Sequence, residues 1–107
     1  MIYFIEAVGI DRIKIGYSAN PLRRLKDLAA SQAPAPMELL LVVPGDYRTE
    51  ARLHSAFAKD RAFGEWFTTS PDLESLIVDL ATAAPAEVEP IMYATIERIE
   101  AARLPFP

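Results

Sequence analysis

The sequence predicts a small α+β domain, and three observations carry this prediction. The chain has 107 residues, which is enough for one hydrophobic core of ordinary size. Apolar residues make up 51% of the chain, a fraction typical of globular proteins. Short apolar runs of strand length and segments of helical spacing follow each other in the order ββαβα, with further helices after them. This mixed order is typical of an α+β fold.

Two strand candidates open the chain. Residues 1–7 and 12–17 are apolar runs separated by a turn at residues 9–11. Because the connection is so short, the two strands are expected to form an antiparallel hairpin. In the second strand, alternation places Lys14 and Gly16 on one face and the two isoleucines on the other.

A helix and a third strand are predicted next. Asn20 can cap a helix and Pro21 suits its first position, so a helix is expected from here to about Ser31. The alanine-proline segment 33–36 breaks that helix. Residues 38–43 form a continuous aliphatic run, which predicts a buried central strand.

Three more helices are predicted in the rest of the chain, together with one short aromatic segment. The aromatic segment, FGEWF at residues 63–67, is expected to be either a strand end or a loop packed on the core. Pro90 is expected within the first turn of the last helix, since a proline deeper in it would kink the helix. The predicted bounds are Asp46 or Tyr47 to about Arg61, Ser70-Pro71 to about Ala83, and Pro85 to Arg103.

Composition excludes several classes of protein. The chain has no cysteine, so it forms neither disulfides nor thiolate metal sites. It shows no charged leader followed by a long apolar stretch, and no apolar run of membrane-spanning length. We therefore expect a soluble, cytoplasmic protein that does not interact with membranes.

Charge is distributed unevenly along the chain. Residues 1–62 contain nine Lys/Arg and seven Asp/Glu, whereas residues 63–107 contain two and eight. The net charge of −4 predicts weak nonspecific DNA binding, because neutralisation of phosphates supplies most of that affinity. The slightly basic N-terminal part can still hold a phosphate locally.

The N-terminal part contains groups suited to phosphate chemistry. Tyr3 and Lys14 lie on the predicted hairpin, and Tyr17 ends it just beyond Gly16, where the backbone can approach a ligand closely. Arg24, beside Arg23, falls near the start of the first helix. Free amides at a helix start and a guanidinium together form a phosphate-binding arrangement. Each residue alone is also typical of an ordinary strand or surface position.

Glu50 and His54 add a carboxylate and an imidazole. Their i, i+4 spacing puts them on one face of the second helix, and His54 is the only histidine of the chain. Such a pair is usually an ordinary surface contact. Mg²⁺, however, is often held by one or two carboxylates together with waters and substrate oxygens. A neutral imidazole one turn away can assist proton transfer or contact a phosphate.

As a linked set, four segments of the chain resemble the GIY-YIG nuclease superfamily. The similarity is greatest to its phage-derived branch, which is related to the meiotically up-regulated gene nucleases, and it covers about residues 2–80. The segments are KIGYS at 14–18, NPLRRL at 20–25, EARLHSAF at 50–57 and GEWF at 64–67, preceded by Tyr3.

This resemblance implies a fold and an order of domains. The expected architecture is a small three-stranded antiparallel sheet flanked by helices, with the active site on a face of the sheet. The nuclease-like domain is expected at residues 1–83, and residues 84–107 are expected to form a helical extension packed on the same domain.

The resemblance also implies the roles of individual residues. Arg24 matches the arginine that binds the scissile phosphate, and Lys14 stands where many members have the second tyrosine. Lys14, Arg24 and Gly16 are the expected phosphate-binding residues. Glu50 matches the metal-binding glutamate. The catalytic residues implied by the resemblance are Tyr3, Lys14, Tyr17, Arg24 and His54. Whether Lys14 acts as a base or as a phosphate-binding cation is left open by the sequence.

The expected function is therefore metal-dependent hydrolysis of DNA by an endonuclease or nickase, with Mg²⁺ or Mn²⁺ as cofactor. DNA is the expected partner. Because one site cuts one strand, a homodimer or a DNA-binding partner protein is also a possible partner. The alternative is a catalytically weak nucleic-acid-binding or protein-interaction module that retains the nuclease fold. The acidic net charge favours this alternative.

Overall fold

The computed structural model describes residues 1–31 and 36–103, with the side chain of Ser31 left out. The helix break predicted at residues 33–36 therefore lies outside the described residues except for Pro36. Five strands and four α-helices are present in the described part of the chain, with one 3₁₀ turn at Ala58–Asp60. The strands are β1 (Ile2–Ala7), β2 (Arg12–Tyr17), β3 (Met37–Val43), β4 (Arg61–Phe63) and β5 (Trp66–Thr68). The helices are α1 (Pro21–Ser31), α2 (Tyr47–Ala56), α3 (Pro71–Thr82) and α4 (Pro85–Ala102).

The fold is α+β, but the predicted three-stranded sheet is wrong. The antiparallel sheet has five strands in the order β3-β1-β2-β5-β4. The two additional strands, β4 and β5, form a hairpin around Gly64 that runs from the end of the predicted second helix through the aromatic segment. This glycine has a φ of 54°, in the left-handed region that glycine adopts readily. Each of these strands has three residues, too few to show an alternating pattern in the sequence.

The predicted central position of the third strand is also wrong, because β3 lies at an edge of the sheet and pairs only with β1 among the described strands. Its aliphatic residues are nevertheless covered on both faces. Leu40 and Leu41 pack against one hydrophobic cluster, and Leu39 and Val42 against another. Because helices cover both faces of the sheet, this edge strand carries the continuous apolar sequence that is typical of a central strand.

The helices begin where their caps predict, and two details differ. The Asp46 side chain accepts hydrogen bonds from the amides of Arg48 and Thr49 and so caps α2. This helix ends at Ala56 rather than near Arg61, because the chain turns into β4. Pro90 lies in the second turn of α4 instead of the first.

Alternation along the strands divides the apolar side chains between the two faces of the sheet. Ile2 and Phe4 of β1 belong to the larger cluster, which α2, α3 and α4 cover. Tyr3 and Ile5 belong to the smaller cluster, which α1 covers through Leu28. The larger cluster gives most of the core, and the smaller one lies beside the residues with phosphate chemistry.

Helix α4 contributes four buried residues to the larger cluster: Val88, Met92, Ile96 and Ile99. Replacing the fully buried Ile96 with alanine should lower the free energy of unfolding by about 2–4 kcal/mol, since buried aliphatic truncations leave a cavity. Urea denaturation followed by circular dichroism measures this change, with Val78→Ala on the exposed side of α3 as control. A separate unfolding transition for α4 would contradict the expected packing of residues 84–107 on the rest of the domain.

None of the helices in residues 1–31 and 36–103 combines the length and the apolar character needed to cross a membrane. The cytoplasmic location stays a prediction.

Candidate functional site

Tyr3 and Gly16 face each other across the β1–β2 hairpin. The two residues are register partners, and the Tyr3 ring lies directly over the Gly16 Cα. A Cβ added to Gly16 would collide with the end of that ring. Tyr3 is only 1% exposed. Glycine at this position thus allows the phenol to pack flat on β2, with its hydroxyl directed to the end of the hairpin next to α1.

The Arg24 guanidinium of α1 lies close enough to the Tyr3 hydroxyl to act on its ionisation. Burial raises the pKa of Tyr3; the Arg24 guanidinium opposes this rise, while the Glu65 and Glu50 carboxylates add to it. Tyr3 is therefore a neutral phenol at neutral pH.

The start of α1 sets the position of Arg24. The Asn20 Oδ1 accepts a hydrogen bond from the Arg23 amide at 3.2 Å, and the Asn20 carbonyl accepts one from the Arg24 amide at 3.1 Å. The nearby Tyr3 hydroxyl raises the pKa of Arg24, which stays charged at every relevant pH. Its side chain is exposed on the side that Tyr3 does not cover.

Lys14 is a buried cation on the same face of β2 as Gly16. It is 6% exposed, and its Nζ lies 3.0 Å from the Glu65 Oε1 and 5.6 Å from the centre of the Trp66 ring. Glu65 follows Gly64 in the turn between β4 and β5. The Glu65 carbonyl accepts a hydrogen bond from the Ile15 amide at 3.1 Å, which ties this turn to β2.

Glu65 is a member of the cluster that sequence reasoning missed. Its segment, GEWF, was used to identify the family resemblance, but the carboxylate itself was given no role. The only feature of the sequence that could have indicated a role for Glu65 is the presence of a carboxylate among aromatic residues. Its significance depends on the pairing of β5 with β2, which puts Trp66 opposite Lys14.

Glu50 lies in the first turn of α2, near the end of β2 at Tyr17. The Tyr17 amide lies close enough to its carboxylate to favour the charged form. Burial raises the pKa of Glu50, with a contribution from the Glu65 charge; His54, the Tyr17 amide and Lys14 act in the opposite direction. Glu50 is therefore within electrostatic reach of both Lys14 and Glu65.

The other two predicted residues are placed differently. The His54 Nε2 lies 2.8 Å from the Ile15 carbonyl oxygen, and its ring contacts Phe67 at 5.1 Å between centroids. Because a carbonyl only accepts, this nitrogen carries the hydrogen. The Tyr17 side chain is 43% exposed, and alternation puts it on the opposite face of β2 from Lys14. His54 thus contacts the β2 backbone, and Tyr17 contributes its amide.

The structure therefore gathers Tyr3, Lys14, Gly16 and Arg24 on one face of the hairpin, with Glu50 and Glu65 at its end. Within residues 1–31 and 36–103 there is no group of three or more acidic, histidine or cysteine side chains able to hold a metal ion. A metal at this site would depend on Glu50 with ligands from water and substrate.

The raised pKa of Tyr3 leads to a prediction on stability at high pH. A phenol whose pKa is raised by folding stabilises the folded state fully below its unfolded pKa, about 10, and loses this contribution as the pH rises through the folded value. Wild-type protein should therefore lose more stability between pH 9 and 11 than Tyr3→Phe. Urea midpoints across this range measure the difference; identical pH dependence of the two proteins would contradict it.

Comparison with protein families gives a match over most of the chain. The sequence profile described as the T5orf172 domain matches residues 1–100. This domain is phage-associated and nuclease-like. No curated protein matches the chain significantly, and no solved structure does.

Proposed function

We propose that this chain, which belongs to the T5orf172 domain family, is a metal-dependent DNA endonuclease or nickase of the GIY-YIG type. The observation that carries the proposal is the packing of the Tyr3 ring on Gly16, with Lys14 on the same face and the Arg24 guanidinium near the Tyr3 hydroxyl. A neutral phenol and two cations on one sheet face suit a phosphodiester, which carries one negative charge. Glu50 at the end of the hairpin supplies the carboxylate that such a site requires.

Arg24 and Lys14 are the proposed phosphate-binding groups. Arg24 is exposed and its guanidinium has several donors, so it can contact a phosphate oxygen. The Lys14 Nζ forms an ion pair with the Glu65 Oε1 at 3.0 Å, so the side chain already contacts an anionic oxygen. We therefore assign Lys14 to charge stabilisation and not to proton abstraction.

Tyr3 is the proposed group that orients the attacking water through its neutral hydroxyl. The water oxygen bonds to phosphorus while one ester P–O bond breaks, which gives a phosphomonoester and a free hydroxyl. The attacking water gives up its proton to solvent, and the leaving oxygen takes a proton from solvent. Arg24 and Lys14 stabilise the charge that develops on the phosphate oxygens.

The donor set fits a hard divalent cation. Glu50 would hold Mg²⁺ or Mn²⁺ with its partly buried carboxylate, and waters and substrate oxygens would complete the shell. A cation bound there supplies Lewis-acid stabilisation of the phosphate charge. The His54 hydrogen bond to β2 holds α2 in place and so positions Glu50 one turn earlier in the helix.

DNA is the proposed substrate, and one such site cuts one strand. A double-strand break then requires a homodimer, a partner protein or two successive events. Supercoiled plasmid incubated with Mg²⁺ or Mn²⁺ should be converted to the open-circular form, and EDTA should prevent the conversion. A protein that binds the plasmid but leaves it intact with either metal would instead be the binding module considered from the sequence.

A further inference from the structure

The Lys14–Glu65 ion pair closes the phosphate site in the free domain. The Lys14 side chain is 7% exposed, whereas that of Glu65 is 37% exposed. The Trp66 ring lies near the Lys14 ammonium, and the Glu65 carboxylate is paired with it. Little of the ammonium surface is therefore available to an incoming anion. A DNA phosphate can reach the Lys14 Nζ only if the Glu65 carboxylate moves aside.

A buried ammonium needs such a counter-charge. Removing a lysine amine from water costs several kcal/mol unless an anion compensates it. Glu65 is the carboxylate that forms an ion pair with Lys14 in the described part of the chain. It therefore stabilises Lys14 in the folded domain before any substrate is present.

The two partners differ in how firmly they are held. Lys14 belongs to β2, which pairs with β1 on one side and β5 on the other. Glu65 lies in the turn between two three-residue strands, next to the exposed outer strand β4. The Glu65 side chain can therefore rotate toward solvent while Lys14 stays in place.

We propose that Glu65 is an internal counter-ion that competes with the DNA phosphate for Lys14. In the free domain it takes the place of a phosphate oxygen at the Lys14 ammonium, and bound DNA displaces it. This inference rests on the proposed function, in which Lys14 and Arg24 bind the phosphate. The carboxylate also raises the pKa of Tyr3 and of Glu50, so its charge acts on the rest of the site.

Binding of a fluorescein-labelled duplex oligonucleotide in EDTA, measured by fluorescence anisotropy, tests the inference without cleavage. Glu65→Gln should bind the duplex about fivefold more tightly than wild type, since the competing charge is gone. Glu97→Gln on α4 also removes one negative charge, at an exposed position far from Lys14 in the sequence, and serves as control. In a Lys14→Met background, Glu65→Gln should change the affinity less than about twofold, because a methionine has no charge to release.

Glu65→Asp is measured in parallel, because it keeps a charge for folding but shortens the reach to Lys14. Tighter binding by either variant, lost in the Lys14→Met background, supports the counter-ion role. Unchanged or weaker binding, while wild type binds and nicks DNA, overturns this inference alone and leaves the nuclease proposal standing. If neither wild type nor any folded variant binds the duplex, the inference and the proposed substrate both fail.

Discussion

Replacing Glu50 with glutamine is expected to reduce metal-dependent nicking of DNA by about 10³-fold, the loss typical when a group that stabilises the transition state is removed. The amide keeps the size of the side chain but loses the negative charge that a divalent cation requires. DNA binding in EDTA should be retained, since Arg24 and Lys14 are unchanged.

The same variant is expected to fold normally. Because folding raises the pKa of Glu50, the charged form costs more in the folded domain than in the unfolded chain, and stability declines as the pH rises through the raised pKa. Glu50→Gln lacks that decline and should be at least as stable as wild type at pH 7 by thermal denaturation. Glu74→Gln, at the equivalent first-turn position of α3, is the matched control and should cut normally. Normal cutting by Glu50→Gln would remove Glu50 from the site.

Replacing Gly16 with alanine is expected to lower both the stability of the domain and the rate of nicking. The new methyl group would occupy the space of the Tyr3 ring, so the ring must move away from β2. Overpacking of this kind costs about 1–3 kcal/mol of stability. A displaced Tyr3 hydroxyl also moves away from Arg24, and a misplacement of about 1 Å at a reacting group can cost about 10²-fold in rate.

Comparison with Tyr3→Phe separates the two effects of Gly16→Ala. Tyr3→Phe removes the hydroxyl but leaves the ring packed on Gly16, so it should lose activity with a smaller loss of stability. Urea denaturation and plasmid nicking of both variants measure this difference. Wild-type rates for Gly16→Ala would show that the contact between Tyr3 and Gly16 has no role in cleavage.

The sequence was most informative where a local signal had a direct structural meaning. Asn20-Pro21 marked the start of α1, which begins at Pro21. The short turn between the first two strands implied the hairpin, and alternation placed Lys14 with Gly16 on one face. Capping chemistry and period-two alternation depend on neighbouring residues, so both can be recognised from the sequence alone.

Features that depend on distant pairing were not predicted. The edge position of β3 could not be distinguished from a central one, because helices cover both of its faces. The β4–β5 hairpin is too short to show periodicity, and so the five-stranded sheet was predicted as three-stranded. The contact of Glu65 with Lys14 was not predicted for the same reason, because only the pairing of β5 with β2 brings the two side chains together.

The structure also gives His54 and Lys14 more definite surroundings than the sequence did. His54 was predicted as catalytic, and its Nε2 is engaged with the Ile15 carbonyl. The sequence leaves Lys14 open between base and phosphate-binding cation, and the structure pairs its Nζ with the Glu65 carboxylate at 3.0 Å. These contacts join residues 39 and 51 positions apart, a separation at which sequence spacing carries no information.

The most direct test of the proposed site compares Arg24→Ala with Arg23→Ala in the plasmid-nicking assay. The two arginines are neighbours in the first turns of α1, both are exposed, and each substitution removes one positive charge. Arg24 is the one whose guanidinium lies near the Tyr3 hydroxyl. Arg24→Ala should therefore lose about 10²–10³-fold in nicking rate, whereas Arg23→Ala should stay within about threefold of wild type. Equal rates for the two variants would contradict a catalytic site built on Tyr3 and Arg24.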